Sequence, residues 1–162
     1  MRIQNLLSVE AVKYTTFRAV SERVGDIVAE RLGSTSPSAT ATTQLYGGEI
    51  DDLDAYIADM VASCEGLLSE MQVIRLVSEF GTAVESLIAD LRTDKTLIEP
   101  IAPHVSCLRG EIPFIAKREM VVTLSDIILR RTGLGALGNP GIDVLSSSAE
   151  LCGAQLGWNE ST

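Results

Sequence analysis

The chain has 162 residues, enough for one domain with its own core, because a chain of this size buries roughly two thirds of its unfolded surface on folding. Apolar residues make up 46% and aromatic residues only 4%, which favours aliphatic helix packing. A net charge of -9, from 13 basic and 22 acidic residues, argues against nucleic acid or an anionic lipid surface as a partner, and we expect neither a bilayer-spanning run nor a secretory signal.

The first 48 residues predict a strand, a helix and a linker. Residues 3–9 (IQNLLSV) predict a short buried strand, which has no second strand in this chain to pair with and so suggests missing sequence. From Thr16 the apolar positions follow three-and-four spacing, which predicts an amphipathic helix ending at Gly33. Its apolar residues are Phe17, Val20, Val24, Ile27, Val28 and Leu32. Residues 34–48 are rich in Ser, Thr, Ala and Gly, which predicts a linker.

The remaining chain predicts helices separated by glycine and proline. The first runs from the acidic residues at 49–54 to Cys64, and the second covers about 69–80. The third carries Val84, Leu87, Ile88 and Leu91 on its apolar face. The last three cover about 112–122, 124–132 and about 141–156. Thr82 with Glu85, and Thr123 with Asp126, have the spacing of capping boxes. The predicted fold is therefore mainly α, an irregular bundle of about six helices with a short N-terminal strand.

Several isolated residues have a structural interpretation. Cys64, Cys107 and Cys152 are odd in number and lack CxxC spacing, so we expect reduced, buried thiols and neither a disulfide nor a metal site. His104 follows Pro103 in a turn-rich stretch, and we expect an exposed turn residue and no catalytic base. Trp158 is expected to cover the helical core.

The glycines of Gly133–Gly138 match the G-x-G-x-x-G fingerprint of dinucleotide-binding proteins. That fingerprint needs a strand before its first glycine and a helix opening at its third. Here a charged helix precedes the glycines, and Asn139-Pro140 follows them. The segment is therefore predicted to be a helix end and a loop.

Arginines and carboxylates are interleaved between residues 111 and 135. The charged residues concerned are Arg118, Glu119, Asp126, Arg130 and Arg131. Arginine forks suit phosphate oxygens, which allows a phosphate-binding cluster. The interleaved carboxylates, and the i, i+4 order of Asp126 and Arg130, favour an ion-pair network that joins two helices.

The entry of the first helix carries polar and basic side chains, namely Lys13, Thr15, Thr16 and Arg18. Free backbone N–H groups and hydroxyls at a helix entry can hold an anion or the polar edge of a ring. The alternatives are helix capping by threonine and an ion pair between Arg18 and Glu22 at i+4. The residues themselves leave both interpretations open.

Two segments carry a family resemblance. The run EIPFIAKREMVVTLSDIILRRTGLG, Glu111–Gly135, resembles the C-terminal helical domain of FAD-dependent glycerol-3-phosphate dehydrogenases and glycerophosphate oxidases, with its Arg-Glu-Met and Thr-Leu-x-Asp-x-x-Leu-Arg-Arg-Thr runs. Residues 9–18, VEAVKYTTFR, resemble the G-x-K-[LY]-T-T-x-R segment that closes the flavin-binding domain of that family. The two segments occur in the family's order, and the resemblance covers nearly the whole chain.

The resemblance implies a division of the chain and a role for it. Residues 1–33 would be the end of an FAD-binding domain, 34–48 a linker and 49–162 the helical C-terminal domain. The complete enzyme would oxidise sn-glycerol 3-phosphate to dihydroxyacetone phosphate, with FAD passing electrons to a quinone or to oxygen. The family works at the cytoplasmic face of the inner membrane as peripheral proteins. The partner would be the N-terminal FAD-binding domain, on the same or a separate chain. A homo-oligomer is also compatible with the resemblance.

The resemblance also assigns residues. Lys13, Thr15 and Thr16 would contact the flavin, and Arg18 the substrate phosphate. No catalytic residue and no metal ligand is assigned to this chain. Because the Gly-rich dinucleotide turn is missing, we expect the chain alone to bind no FAD and to be inactive.

One position departs from the family pattern. Where the family has a glycine two residues before the lysine, this chain has Ala11, preceded by Glu10. A side chain at this point, with a carboxylate beside it, opposes close approach of the backbone to a flavin. The alternative hypothesis is therefore a stand-alone helical protein-interaction module that has lost the catalytic half.

Overall fold

The computed structural model describes residues 5–10 and 13–158, and all regular secondary structure among them is helical. The helices are α1 (Phe17–Arg31), α2 (Leu53–Ser63), α3 (Glu70–Phe80), α4 (Val84–Thr93), α5 (Glu111–Arg118), α6 (Leu124–Asp126), a π-helix (Ile127–Arg131) and α7 (Ile142–Leu156). Short 3-10 turns cover Tyr14–Thr16, Gly81–Ala83 and Lys95–Ile98. The mainly α prediction is confirmed.

The predicted N-terminal strand is wrong for the residues that can be compared. Residues 5–9 have no strand conformation, and the side chains of Leu6 and Val9 are exposed. Residues 3 and 4 lie outside the described part of the chain. A strand needs a neighbour to accept and donate its backbone hydrogen bonds, and the described residues contain only an isolated bridge between Pro100 and Leu108.

The chain divides into two compact units, a first unit of residues 1–46 and a second unit of residues 47–162. In the first unit α1 ends at Arg31, two residues before the predicted stop at Gly33, whose φ of +75° suits glycine. None of the residues of α1 is buried, and Phe17, Ile27 and Val28 are between 39% and 47% exposed. The division falls inside the predicted linker, and the assignment of residues 1–33 to a flavin-binding domain stays a prediction.

The second unit has a continuous apolar core that runs from Met60 to Cys152. The predicted inward residues of α4 are all buried: Val84, Leu87, Ile88 and Leu91. Helix α2 packs on α3, and α5 packs on α7. At the end of α7, Trp158 packs against the core as predicted, and a Cβ added to Gly153 would lie 3.5 Å from its ring.

Three helix starts show how capping works in this unit. Thr123 and Asp126 form the predicted capping box at α6. The box predicted at Thr82 and Glu85 is wrong, because Thr82 donates to Glu49 at 3.0 Å and Glu85 accepts from Tyr56 at 3.0 Å. A capping box forms instead at the start of α3, between Ser69 and Gln72. Tyr56 of α2 and Glu49 in the segment before it are the partners that these two side chains contact in place of the helix terminus.

The helices before α7 differ from the two that the sequence predicts at 112–122 and 124–132. Helix α5 ends at Arg118, and Met120 has φ +53°, a left-handed conformation that interrupts the predicted helix 112–122. The predicted helix 124–132 begins as α6 and continues as the π-helix, in which Thr132 N–H donates to the carbonyl of Ile127 at 3.0 Å. This wide turn ends in Arg130 and Arg131.

Gly47 and Gly81 meet at the start of the second unit. The Thr82 N–H donates to the carbonyl of Gly47 at 3.0 Å, and Gly81 has φ +54°. A Cβ at Gly81 would lie 1.8 Å from that carbonyl oxygen. Only glycine therefore fits at position 81, between α3 and α4.

Candidate functional site

The helix entry in the first unit holds the residues that the resemblance assigns to the flavin. Lys13, Thr15 and Thr16 are exposed in and beside the 3-10 turn Tyr14–Thr16, which leads into α1. The Thr16 hydroxyl donates to the carbonyl of Lys13 at 2.9 Å and makes no capping hydrogen bond to α1. Simple threonine capping is therefore not what this turn does.

Arg18 is tied to the loop that follows α1. One nitrogen of its guanidinium, Nη1, donates to the carbonyl of Thr40 and, at 3.0 Å, to that of Thr43. The alternative ion pair with Glu22 does not form in the described structure. Because a guanidinium carries five N–H groups, Arg18 keeps further donors for an anion.

The second unit contains a cavity of about 620 Å³, which is of the size that binds small organic molecules. Residues of α3, the loop before α5, α5 itself, the end of the π-helix and the loop after it form its walls. Charged side chains among them are Arg75, Glu79, Glu111, Glu119, Arg130 and Arg131. This cavity is the second candidate site.

A buried ion pair supports the cavity wall. Arg75 Nη2 and Nη1 donate to the two carboxylate oxygens of Glu111 at 2.5 and 3.0 Å, and the Leu108 N–H donates to the same carboxylate at 2.6 Å. Glu111 is only 2% exposed. Such a charge is tolerated in a core only when partners of this kind replace its hydration.

Glu79 completes the cluster from α3, at 2.9 Å from Arg75 Nη1. Burial raises the pKa of Glu79, and the nearby Glu111 charge adds to the rise while Arg75 opposes it. Burial alone would lower the pKa of Arg75, but its hydrogen bonds and ion pair with Glu111 raise it overall. One guanidinium thus serves two carboxylates.

Two of the three arginines predicted to form ion pairs within residues 111–135 do so. Arg130 Nη1 lies 3.0 Å from Asp126, and Arg131 Nε lies 3.6 Å from the Glu119 carboxylate and donates to the Glu119 carbonyl at 2.9 Å. The Arg131 contact joins the π-helix to the end of α5. Arg118 takes no part, since its guanidinium lies 4.0 Å from the Phe114 ring centroid.

The other residues with a sequence prediction lie in turns or in the core. His104 is exposed, as expected, but its Nδ1 lies 3.7 Å from Asp143, a carboxylate that the sequence spacing did not reveal. Gly133–Gly138 forms turns after the π-helix, so the prediction of a helix end and a loop is confirmed. The three cysteines are free and buried, and burial raises the pKa of Cys107 and of Cys152.

The described residues form neither a metal-binding cluster nor a membrane-spanning helix. No three of their His, Cys, Asp or Glu side chains are grouped so as to hold a metal ion. None of their helices has the length and apolarity to cross a membrane.

Sequence reasoning missed the Arg75, Glu79 and Glu111 cluster. Arg75 and Glu79 have the i, i+4 spacing of a helical ion pair, and Arg75 sits within the apolar stripe of α3 next to the buried Leu76. A charge within an apolar stripe is a signal for a buried partner. The partner itself is 36 residues away and only the fold brings it near.

Comparisons with known proteins place the chain in a family. The family model described as the C-terminal domain of alpha-glycerophosphate oxidase matches residues 38–162. Glycerol-3-phosphate dehydrogenase 2 of Mycobacterium tuberculosis (strain H37Rv) is 26% identical over 155 residues, which are 94% of this chain and 26% of that protein. The glycerol-3-phosphate dehydrogenase of Synechocystis sp. (strain PCC 6803) is 25% identical over 162 residues, 98% of this chain and 29% of that protein.

The chain thus spans about a quarter of the length of the curated relatives it matches. The match to the family model covers well over half of the chain, including the whole second unit. The chain therefore belongs to the family of alpha-glycerophosphate oxidase C-terminal domains.

Proposed function

We propose that the chain is the C-terminal part of an FAD-dependent glycerol-3-phosphate dehydrogenase. The complete enzyme would oxidise sn-glycerol 3-phosphate to dihydroxyacetone phosphate, with an N-terminal FAD-binding half on the same or a separate chain. The observation that carries the proposal is the alignment with proteins named glycerol-3-phosphate dehydrogenase along 94% and 98% of this chain. Because the chain matches only about a quarter of each relative, we assign the flavin chemistry to the part of the enzyme outside the matched region.

The exposed stripe of α1 supports an FAD-binding half as partner. Phe17, Ile27, Val28 and Leu32 are between 39% and 80% exposed and recur at helical spacing along one face. An apolar stripe of this kind is normally buried against another element. The missing half of the flavin-binding domain is the element that we assign to it.

Lys13, Thr15 and Thr16 fit a contact with FAD, because an ammonium and two hydroxyls are exposed together at one helix entry. In the complete enzyme they would bind the polar edge of the flavin, whose chemistry when bound is to accept the hydride from the substrate. Arg18 would hold the substrate phosphate with the donors that its contacts to Thr40 and Thr43 leave unused. Glu10 is exposed, and Ala11 lies outside the described residues.

The test is reconstitution from two pieces. The full chain is co-expressed with an N-terminal FAD-binding half from the same organism, and the Synechocystis relative, divided at the corresponding position, is the positive control. We expect flavin absorbance to co-elute with the chain in size-exclusion chromatography, together with dye reduction that depends on glycerol 3-phosphate. A colourless, unassembled chain beside an assembled control would contradict the proposal and favour the stand-alone interaction module.

A pair of variants tests the role of α1 in that assembly. Ile27→Asp puts a charge into the apolar stripe, whereas Ala19→Asp puts the same charge on an exposed position outside it. We expect Ile27→Asp to weaken assembly by at least about tenfold, because the introduced carboxylate would be buried without a partner, and Ala19→Asp to assemble normally. Equal assembly of the two variants would show that the stripe does not contact the FAD-binding half.

We also infer, from the resemblance alone, that the complete enzyme is peripheral at the cytoplasmic face of the inner membrane. Washing membranes with high salt or alkaline carbonate should release it, because peripheral proteins are held without a membrane-spanning helix. Retention through both washes would contradict this.

A further inference from the structure

The cavity of the second unit has no part in the proposed flavin contacts, which belong to residues of the first unit. We propose that this cavity binds a small amphipathic organic anion. Arg130 and Arg131 hold its carboxylate or phosphate-ester head group, and Phe80, Val105 and Leu134 contact its short apolar body.

The shape and composition of the cavity suit a ligand with two ends. Its volume of about 620 Å³ lies within the range of roughly 300 to 1,000 Å³ that is usual for small-molecule sites. Phe80, Val105 and Leu134 line it and are each only half-buried. Phe80 is also fixed by an edge-to-face contact with Phe114, at 5.4 Å between ring centroids. The apolar part of the wall is therefore preformed.

The anion-binding part of the wall is the end of the π-helix. Arg130 uses Nη1 for Asp126, and Arg131 uses Nε for the carbonyl of Glu119. Since each guanidinium has five N–H donors, several remain on each side chain. Their existing contacts hold the two side chains in place, so an anion meets donors that are already oriented. A π-turn of this kind is rare and frequently marks a functional site.

The carboxylates in the cavity wall determine which arginines can bind the head group of the ligand. Glu111 is satisfied by Arg75 and by the Leu108 N–H, and Glu119 lies 3.6 Å from Arg131. Glu79 is half-exposed and would repel an anion on the α3 wall. Arg75 pairs with two carboxylates through Nη1 and Nη2, and its Nε, which has no hydrogen-bond partner, is buried. The head group is therefore assigned to Arg130 and Arg131.

Calorimetric titration of the full 162-residue chain, without flavin, tests the proposal. The probes are hexyl phosphate and hexanoate, which carry both ends, and inorganic phosphate and hexan-1-ol, which carry one each. We expect at least one two-ended probe to bind saturably with one site, about tenfold or more tightly than either one-ended probe. Failure of both two-ended probes, or equally tight binding of inorganic phosphate, would overturn the proposal.

Variants then locate the site. Arg130→Gln and Arg131→Gln should each weaken binding of the two-ended probe about tenfold, because each removes charge-assisted hydrogen bonds. Lys117→Gln removes the same charge from an exposed side chain of α5 that does not line the cavity, and it should bind as the unchanged chain does. Leu134→Ala should weaken the two-ended probe while leaving inorganic phosphate unaffected.

Circular dichroism and melting curves establish that each variant is folded before it is titrated. Arg130 is 59% exposed at its side chain, so its variant keeps the test open should Arg131→Gln fail to fold. Equal affinities in both arginine variants and in Lys117→Gln would assign the binding elsewhere and overturn the proposal. No step involves FAD, so a failed reconstitution of the dehydrogenase leaves this result interpretable by itself.

Discussion

At the scale of single residues, Glu111 is the most constrained side chain of the second unit. It is a carboxylate inside an apolar core, and it accepts hydrogen bonds from Arg75 and from the backbone of Leu108. Its position at the start of α5 links that helix to α3, through Arg75, and to the loop before α5, through Leu108. Removing a single partner leaves a buried charge without compensation, which costs more than the ion pair contributes.

We therefore predict that Arg75→Met lowers the free energy of unfolding by about 3 to 5 kcal/mol, as measured by urea denaturation. Glu79→Gln removes only the half-exposed partner of Arg75 and should cost less than about 1 kcal/mol. The double variant Arg75→Met with Glu111→Leu should recover part of the loss, because it removes both charges. Similar losses in Arg75→Met and Glu79→Gln would contradict this account of Glu111.

Asp126 gives a prediction for the pH dependence of stability. Hydrogen bonds from the backbone N–H groups of Thr123 and Val122 lower the pKa of Asp126 from its ordinary 3.8 to about 2. A group whose pKa is lower in the folded state stabilises that state above its unfolded pKa, and this contribution is lost as the pH falls through the folded pKa. The stabilisation should thus be complete above about pH 4 and vanish towards pH 2.

The measurement is the difference in melting temperature between the unchanged chain and Asp126→Asn. We expect that difference to be largest near neutral pH and to shrink between about pH 4 and pH 2. Asp59→Asn, on an exposed position of α2, is the control for general charge effects. A difference that stayed constant down to pH 2 would show that the hydrogen bonds do not act through the ionised carboxylate.

At the scale of elements, two helix starts have nearly the same sequence pattern and different outcomes. Ser69 with Gln72 and Thr82 with Glu85 both have capping-box spacing, yet only the first pair forms a box. We predict that Ser69→Ala lowers the free energy of unfolding by about 1 kcal/mol, the usual cost of losing an N-cap. Thr82→Ala should cost less, since it removes one exposed hydrogen bond to Glu49. A larger loss of unfolding free energy in Thr82→Ala than in Ser69→Ala would show that Thr82 caps its helix.

The contact between Gly47 and Gly81 predicts a large cost for a single methyl group. Gly81→Ala should lower the free energy of unfolding by more than about 3 kcal/mol, because it adds a clash with the Gly47 carbonyl to an unfavourable positive φ. Gly66→Ala is the matched control, with φ +75° and open space around its Cβ, and should cost only about 1 kcal/mol. Equal melting temperatures for these two variants would argue against the close approach.

These elements show what the sequence can and cannot predict. Three-and-four spacing and terminal glycines were sufficient for the positions of α1, α3 and α4, because both signals are local. The π-helix was not predictable, since its five residues are too few for the apolar spacing to distinguish i+5 from i+4 hydrogen bonding. The cavity depends on pairs such as Arg75 and Glu111, whose proximity is a product of the fold and is invisible in local spacing.

At the scale of the whole molecule, burial is distributed unevenly along the chain. All fully buried apolar side chains of the described residues lie between Met60 and Cys152, and none lies in the first unit. An isolated 15-residue helix such as α1 is marginal in water, because most helix stability in proteins comes from packing. The second unit therefore has a core of its own, and we expect the first unit to need further packing on α1 to be stable.

We therefore predict that residues 47–162, expressed alone, show a helical circular dichroism spectrum and a cooperative urea transition. A peptide of residues 1–46 should show little helix and a gradual, non-cooperative response to urea. The full chain, measured in parallel, is the reference for both. Loss of cooperativity in residues 47–162 would mean that the first unit contributes to the core.

The buried cysteines can report how often the second unit opens. Cys64 and Cys152 have no exposed surface and Cys107 has 8%, so a maleimide can reach them only when the second unit opens. The rate of labelling under native conditions then follows the population of the open form, as hydrogen exchange does for amides. Each stability difference predicted above for the second unit becomes a difference in labelling rate, read by mass spectrometry from a chain that carries no added probe.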